Sequence, residues 1–398
     1  MGQVCSCDNY STDDAVVAAR SEKETDIIHF FMLGIEGAGK TTIIRQLKCL
    51  CKQKPSSYQM FDDNWKLVNK DTIFDESELD ELRNVIRINI LVAFNHLIQK
   101  TIESGRKITK TEPADRIVQK WREICESGND IYDFEIESEF GNPICELISD
   151  PEVSKTLESH NTIGGLQIDD GTFYFTRDVQ RVKNIFNDSY SLTDGDIVNV
   201  RKPTVTFKSY KFQVKQIRVE IHDMGGQKTE LVKIPRFMNQ FLTANGHSFL
   251  LYVSSMAGFC EPDKDAADKT VLDKSLAIFR HVLNLDGVEE CSVMIFLNKQ
   301  DRFVDIIEER SSTPEGSSQL RQFLPNANLK PGNKHEDPYV HLKDVVSQRF
   351  KDVLKAKKSK KSYHIKYTQA TDAKLMSTIF YAVENEIITS FLTRGSFL

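Results

Sequence analysis

This sequence of 398 residues lacks three features by which many proteins are classified. No run of apolar residues reaches the ~20 needed for a helix that spans a bilayer. The eight cysteines form no C-x-x-C framework and no secretory signal is present, which favours a reduced, cytosolic compartment. Basic residues are not in excess, and the formal net charge of −6 gives no support for general nucleic-acid binding. The composition is that of a soluble globular protein long enough for two domains.

The N-terminus carries a membrane signal of another kind. Residues 1–6, Met-Gly-Gln-Val-Cys-Ser, fit the N-myristoylation pattern, with Gly2 exposed once Met1 is removed. Cys5 and Cys7 lie close enough to carry a second acyl chain. One myristoyl group gives only marginal membrane affinity, so two signals would matter. The alternative is an unmodified, flexible terminus.

Residues 34–41 fit G-x-x-x-x-G-K-[ST], the phosphate-binding P-loop. An apolar run at 27–33 precedes them and a plausible helix at 41–51 follows, which is the setting that this motif needs. Backbone N–H groups at the helix N-terminus would hold the phosphates, Lys40 would reach the β- and γ-phosphates, and the Thr41 hydroxyl would bind Mg²⁺. An ordinary glycine-rich turn is the alternative. The predicted phosphate-binding residues are Gly34, Glu36, Gly37, Ala38, Gly39, Lys40, Thr41 and Thr42. Of these, Glu36 does not fit, because it puts a carboxylate among groups that bind phosphate.

Strand and helix patterns alternate along much of the remaining chain and predict a doubly wound α/β sheet with the P-loop at its ligand-binding edge. Strands are predicted at 215–221, 248–253, 292–297 and 362–368, the first as an edge or half-buried strand. Helices are predicted at 268–283, 341–355 and 375–392. Residues 55–195 interrupt this alternation with almost entirely helical patterns at 79–102, 114–125, 131–140 and 176–186. We therefore expect an all-α domain inserted between the first helix and the second strand of the sheet.

Two further motifs concern the phosphates and the metal ion. Asp223 ends a predicted strand, where its carboxylate can hold Mg²⁺ through water, and Gly226 can present an N–H to the γ-phosphate. Gln227 could orient an attacking water. Just after the helical block, Thr204 can supply a second Mg²⁺ hydroxyl, and Arg201 can stabilise the transferring phosphoryl group.

Two more motifs concern the base. Asn298, Lys299 and Asp301 follow a buried strand, and the Asp301 carboxylate could accept two N–H bonds from a guanine edge, which adenine cannot supply. Ala370 follows the last predicted strand, where its N–H could contact the guanine oxygen. These motifs favour GTP over ATP. A P-loop kinase or ATPase, the alternative, would require both base motifs to be accidents.

With these motifs in this order, the chain resembles the α subunits of heterotrimeric G proteins, nearly end to end. The resemblance includes residues 150–151, 169–174 and 190–196 and the final helix from Thr371. It implies an N-terminal lipidated helix segment (1–26), a GTPase domain (27–54 and 196–398) and an inserted helical domain (55–195). Arg201 and Gln227 would be catalytic, Val198 and Asn199 would contact the nucleotide by their backbone, and Asp169 would lie near the ribose.

The resemblance also implies partners and a location. The partners would be a βγ dimer, a heptahelical receptor that engages the C-terminal helix, and an effector that reads the switch regions. Mg²⁺ would be the cofactor, GTP or GDP the ligand, and the cytoplasmic face of the plasma membrane the location. The N-terminal segment is shorter than in relatives, so we expect βγ binding to be weakened.

The P-loop and the switch depart from the family pattern. Relatives carry a glutamate at the position of Gly37 that pairs with the switch arginine, here Arg201. Glu36 could form that pair from one residue earlier, or its carboxylate could crowd Gln227 and repel the γ-phosphate. We expect retained binding and slow hydrolysis; the alternative is a GTP-binding scaffold with little or no turnover. In the switch, Leu231 and Ile234 replace an arginine and a tryptophan, and Lys274 replaces the glutamate that pairs with that arginine, so the GTP-bound switch would lock differently.

Overall fold

A seven-stranded sheet forms the centre of the protein. The computed structural model describes residues 27–159, 168–204, 207–225, 247–285, 288, 291–325, 327–332, 337–357 and 363–395. Across the sheet the strands run in the order β2-β3-β4-β1-β5-β8-β9. They are β1 (Ile27–Leu33), β2 (Tyr58–Phe61), β3 (Lys208–Val214), β4 (Ile217–Asp223), β5 (His247–Ser255), β8 (Ser292–Asn298) and β9 (Tyr363–Tyr367).

Strand direction divides the sheet into two parts. The five strands from β4 to β9 run parallel, whereas β3 runs antiparallel to β4 and β2 antiparallel to β3. Strand β1 lies between β4 and β5, with Met32 beside Asp223 and Leu33 beside Tyr252. The strand order reverses at this point, and open α/β sheets bind their ligands beyond the carboxyl ends of such strands.

Helices cover both faces of the sheet. One face packs against α1 (Lys40–Gln53) and α13 (Ala373–Gly395), through apolar side chains such as Ile43, Leu47 and Met376. The other face packs against α9 (Val271–Val282), α10 (Gln300–Ser311), α11 (Pro314–Phe323) and α12 (Val340–Lys357). Successive β1 side chains alternate between these two cores, which explains why that strand reads as a continuous apolar run.

The helical insertion is built around one long helix, α2 (Glu76–Glu103), whose 28 residues begin at the capping side chain of Asp75. Its apolar side chains are buried on several sides because other helices of the insertion surround it. These are α3 (Thr111–Ser127), α4 (Gly141–Ile148), α5 (Pro151–Glu158), α6 (Asp170–Thr176) and α7 (Val179–Ile185). The next helix, α8 (Asp194–Asn199), packs against α1 at the end of the insertion.

Several sequence predictions need correction. Residues 58–61, assigned to the helical block, form strand β2 in the sheet, where Tyr58 is buried. The helix predicted at 131–140 is two short 3₁₀ turns, and the one predicted at 176–186 is broken because Asp178 caps a new helix, α7. The helix predicted from 268 begins at Val271, because the preceding residues form a hairpin of β6 (Pro262–Asp263) and β7 (Ala266–Thr270).

Strand β4 also differs from its prediction. It begins at Ile217, because Lys215 adopts a left-handed turn conformation with a φ of 51°. It lies inside the sheet between β3 and β1 and is not an edge strand. The sequence patterns did not indicate β3, α10 or α11. The lipidation sites Gly2, Cys5 and Cys7 lie outside the described residues, and within the described part of the chain no helix is long and apolar enough to cross a membrane.

Candidate nucleotide-binding site

The P-loop curls tightly between β1 and α1, and two of its glycines are required by close packing. Gly34 has a φ of 148°, and a Cβ there would lie 2.1 Å from the Val253 carbonyl oxygen. Gly39 has a φ of 102°, and a Cβ there would lie 2.2 Å from Asn298 Nδ2. No larger residue fits either position without moving backbone or the Asn298 amide. The loop is therefore packed closely against the carboxyl ends of β5 and β8, and only glycine fits at these two contacts.

Lys40 lies inside this loop. The residue is only 5% exposed, and its Nζ donates to the carbonyl oxygens of Gly34 (2.8 Å) and Ile35 (3.2 Å). Burial lowers the pKa of Lys40 to about 8, although the nearby Asp223 carboxylate opposes the shift. An ammonium held within a ring of backbone groups at a helix N-terminus is suited to a polyphosphate.

Three predicted metal ligands come together beside Lys40. Thr41 Oγ1 lies 2.7 Å from Thr204 Oγ1 and donates to Asp223 Oδ2 at 3.4 Å. The second carboxylate oxygen, Asp223 Oδ1, is buried and makes no hydrogen bond within the described part of the chain. Burial raises the pKa of Asp223 to about 6, against the opposing effect of Lys40. Two hydroxyl oxygens and an unsatisfied carboxylate oxygen are ligands that suit Mg²⁺.

Asn298 connects the base motifs to the P-loop. Its Nδ2 donates to the Ala38 carbonyl oxygen (2.9 Å), and its Oδ1 accepts from Thr368 Oγ1 (3.1 Å) and from the Ala370 N–H (3.0 Å). The Ala370 N–H, predicted to contact a guanine oxygen, thus bonds to Asn298 here. Burial raises the pKa of the Asp301 carboxyl, which follows three residues later. The P-loop and the two predicted base motifs are therefore joined by hydrogen bonds through Asn298.

The residue that breaks the P-loop pattern is paired with the switch arginine. Arg201 Nη2 donates to Glu36 Oε1 at 2.9 Å, so Glu36 forms the pair from its shifted position, as one of the two alternatives predicted. The Arg201 side chain is 33% exposed and that of Glu36 45%. The Arg201 carbonyl oxygen also accepts from Asn89 of α2, which anchors the segment to the helical insertion.

The helical insertion contributes a second contact to the site, which the sequence reasoning missed. Asp170 at the start of α6 accepts from Lys299 Nζ (2.8 Å) and lies 3.0 Å from Arg302 Nε. Burial acts to lower the pKa of Lys299, but the charge of Asp170 and its hydrogen bond to Lys299 act together against burial, and the pKa is raised. The acidic pair at 169–170 was the available signal, but only the fold shows which of its members faces the base motif.

Three other predicted nucleotide contacts, in or just after the insertion, have local side-chain roles. The Asp169 side chain caps α6, accepting from the N–H and hydroxyl of Thr172. Val198 is buried, and the Asn199 side chain donates to the Gly195 carbonyl oxygen. The side chains of Asp169 and Asn199 thus bond within the protein, and that of Val198 is packed in its core.

Comparison with known proteins decides the family. The sequence model of the family described as "G-protein alpha subunit" matches residues 8–387. The chain belongs to this family. It is the alpha subunit of a heterotrimeric G protein, a GTPase that binds GTP and GDP.

The relatives of this alpha subunit are distant. The chain is 23% identical over 381 residues to the guanine nucleotide-binding protein alpha-17 subunit of Caenorhabditis elegans, covering 94% of this chain and 92% of the relative. It is 24% identical over 279 residues to the alpha-6 subunit of Dictyostelium discoideum, covering 70% of each chain. With the G(s) subunit alpha of Drosophila pseudoobscura it shares 23% identity over 351 residues, 88% of this chain and 83% of the relative.

Part of the alpha subunit's predicted switch lies outside the described residues, namely Gly226, Gln227, Leu231 and Ile234. Lys274, which replaces the family's glutamate, is described. Its Nζ donates to Asp263 (3.0 Å) and Asp265 (2.6 Å) in the β6–β7 hairpin. The charge of Lys274 is thus satisfied by two carboxylates of the hairpin.

Proposed function

We propose that this alpha subunit is a Mg²⁺-dependent GTP/GDP switch whose hydrolysis step is slowed by Glu36. The observation that carries the proposal is the group of Thr41, Thr204 and Asp223 beside the buried Lys40, with Asp223 Oδ1 unsatisfied among the described residues. Thr41, Thr204 and Asp223 would hold Mg²⁺, whose charge would offset part of the negative charge of the phosphates. Thr204 would be held in place only when a γ-phosphate is present, and this is how such proteins distinguish GTP from GDP.

The chain's own residues would perform the remaining work. Lys40 and the N-terminus of α1 hold the phosphates, and the Asp301 carboxylate selects guanine by accepting from two N–H groups of the base. Arg201 stabilises charge on the transferring phosphoryl group, while Gln227 orients the attacking water. The catalytic geometry thus requires Arg201 to point at the phosphate, whereas in the described structure it is bonded to Glu36.

Glu36 therefore competes with the substrate for Arg201. A half-exposed ion pair contributes only about 0.2–1 kcal/mol, so Glu36 would lower the fraction of Arg201 that is free to contact the phosphoryl group but would not prevent that contact. The carboxylate would also repel an incoming γ-phosphate. Both effects act on turnover more than on binding, where Lys40 and Mg²⁺ offset the added charge.

The experiment that tests the nucleotide assignment is equilibrium binding of a fluorescent GTP analogue over a Mg²⁺ titration. We expect competition by GTP and GDP but not by ATP, and Mg²⁺ dependence that is lost in Asp223→Ala and kept in the exposed control Asp80→Ala. Preferential competition by ATP would support the kinase or ATPase alternative. Guanine-selective binding with no detectable hydrolysis would support the scaffold alternative.

The partners and location follow from the sequence and family. Myristoylation of Gly2 with a second acyl chain on Cys5 or Cys7 would hold the protein at the cytoplasmic face of the plasma membrane. The C-terminal helix α13 would engage a heptahelical receptor, a βγ dimer would bind the GDP form weakly, and an effector would read the switch. Labelling with a myristate analogue in cells, with Gly2→Ala as control, tests the anchor. A βγ pull-down at the strength of a typical alpha subunit would contradict weakened binding.

A further inference from the structure

A compact group of metal-ligating side chains lies on the sheet outside the nucleotide site. His29 of β1 and Glu220 and His222 of β4 place one ligand atom each within 4.8 Å of one another. The strand register explains the grouping: His29 stands beside Glu220, and Phe31 stands beside His222. Side chains two residues apart on one strand share a face, so all three ligands lie on the same side of the sheet.

The separations of these atoms suit a small ion. His29 Nδ1 lies 3.2 Å from His222 Nε2 and 3.7 Å from Glu220 Oε2. Two ligands held at ~2.0–2.1 Å by a tetrahedral zinc ion are themselves about 3.3 Å apart. The ligand atoms are therefore already near the required spacing, without movement of either strand.

The surroundings of His222 orient it as a ligand. Its Nδ1 lies 2.8 Å from Ser209 Oγ of the neighbouring strand β3, which leaves Nε2 to face His29. The rings of Phe31 and Phe207 stack on it at 5.3 and 5.9 Å between centroids. Burial lowers the pKa of both imidazoles. A fixed, neutral imidazole with a hydrogen bond at its second nitrogen is the usual form of a metal-binding histidine.

We propose that His29, Glu220 and His222 form a binding site for a divalent transition-metal ion such as Zn²⁺, which clamps β1 to β4. Two imidazoles and one carboxylate suit zinc and its borderline neighbours and disfavour Mg²⁺, which prefers oxygen ligands. The site therefore differs in chemistry from the Mg²⁺ ligands at the P-loop. The exposed edges of His29 (14%) and Glu220 (16%) leave a path for the ion and for a water as fourth ligand.

Binding requires one local rearrangement. The two imidazole planes are within 4° of parallel with centroids 5.5 Å apart, so the rings meet edge to edge through an N–H···N bond. For the ion to enter, the proton between the two rings must move to the other nitrogen of the ring that carries it. The rings must also tilt, so that the lone pairs of His29 Nδ1 and His222 Nε2 point toward the ion. His29 is the partner able to tilt, since His222 is held between two phenyl rings. No net proton is released, because only the ring that carried this proton changes, from one neutral tautomer to the other.

The test is a Co²⁺ titration of the full chain, loaded with GDP and kept in excess Mg²⁺ so that the nucleotide site is occupied. We expect one ion per chain with visible d–d absorption and without thiolate charge-transfer bands, and displacement of Co²⁺ by Zn²⁺. His29→Ala and Glu220→Gln should bind at least about 100-fold more weakly, and Ser209→Ala about tenfold more weakly because Ser209 only positions His222.

A matched control is available on the edge strand β9. His364 Nδ1 lies 3.3 Å from Glu386 Oε2, and this pair belongs to no group of three metal-ligating side chains among the described residues, so His364→Ala should bind Co²⁺ like the unmodified protein. Far-UV circular dichroism and GDP binding establish that each variant is folded. If His29→Ala fails this check, Glu220→Gln still tests the site, because it keeps the volume of the side chain. Equal Co²⁺ binding by unmodified protein, His29→Ala and Glu220→Gln would overturn the proposal, as would spectra dominated by thiolate ligands.

Discussion

Replacing Glu36 by glutamine should accelerate GTP hydrolysis, because it releases Arg201. The substitution removes the charge that accepts from Arg201 Nη2 and keeps the size of the side chain. The Arg201 and Glu36 side chains are 33% and 45% exposed, so solvent screens the pair and it contributes about 0.2–1 kcal/mol. If breaking the pair is part of the activation free energy of hydrolysis, removing the pair lowers that free energy by the same amount and raises the rate by about 1.4- to fivefold. Glu36→Gly should reach at least the same rate, since it also removes the carbon atoms beside the phosphate.

The assay is single-turnover release of phosphate from protein preloaded with GTP, started by Mg²⁺, with GTP affinity measured in parallel. A matched control lies one residue along: Lys202 Nζ is 2.6 Å from Glu81, in a pair of similar exposure that does not involve Arg201. Glu81→Gln should leave the rate unchanged. In the double variant Glu36→Gln with Arg201→Ala the acceleration should disappear, because the two residues act through one contact.

Equal hydrolysis rates for the unmodified protein and both Glu36 variants would refute the reasoning. So would an equal acceleration by Glu81→Gln, which would indicate a general loosening of the segment. An acceleration that persists without Arg201 would show that Glu36 acts by repelling the γ-phosphate and not by holding the arginine.

Three further predictions follow from the site. Burial raises the pKa of the Asp223 carboxyl from 3.8 to about 6. The protonated carboxyl therefore stabilises the folded state fully below about pH 3.8, and this stabilisation is lost as the pH rises through about 6. Asp223→Asn should therefore raise the free energy of unfolding at neutral pH without Mg²⁺ or nucleotide, by up to about 3 kcal/mol in urea titrations, and abolish the Mg²⁺ dependence of GTP binding; an unchanged or lowered value would contradict this. Asp301→Asn should weaken GTP at least about tenfold and favour xanthosine triphosphate, whose second carbonyl can accept from the new amide, as competition binding would show. Asp170→Asn, which weakens the contacts with Lys299 and Arg302, should raise the GDP release rate about two- to fivefold, and an unchanged rate would exclude a role for this bridge.

The local parts of the site could be predicted because each is a short run of chain in a fixed setting. A P-loop needs a strand, a glycine-rich turn and a helix in sequence, and residues 27–53 supply them in that order. The buried strands β5 and β8 were equally readable, because parallel strands covered on both faces are continuous apolar runs. Short or amphipathic elements were not: β2 has four residues, and its place in the sheet depends on pairing with β3, well over a hundred residues away.

The identity of the nucleotide and the family were thus determined by the sequence alone, because the groups that recognise phosphate and guanine lie in contiguous motifs at strand ends. The roles of Gln227 and of the acylation sites remain predictions from the sequence. Only the tertiary structure decided which of these groups meet. It brings Glu36 to Arg201, Asp170 to Lys299, Asn298 to the P-loop, and His29 to His222. Each contact joins residues more than a hundred positions apart, and its formation depends on strand order and register, which no local pattern encodes.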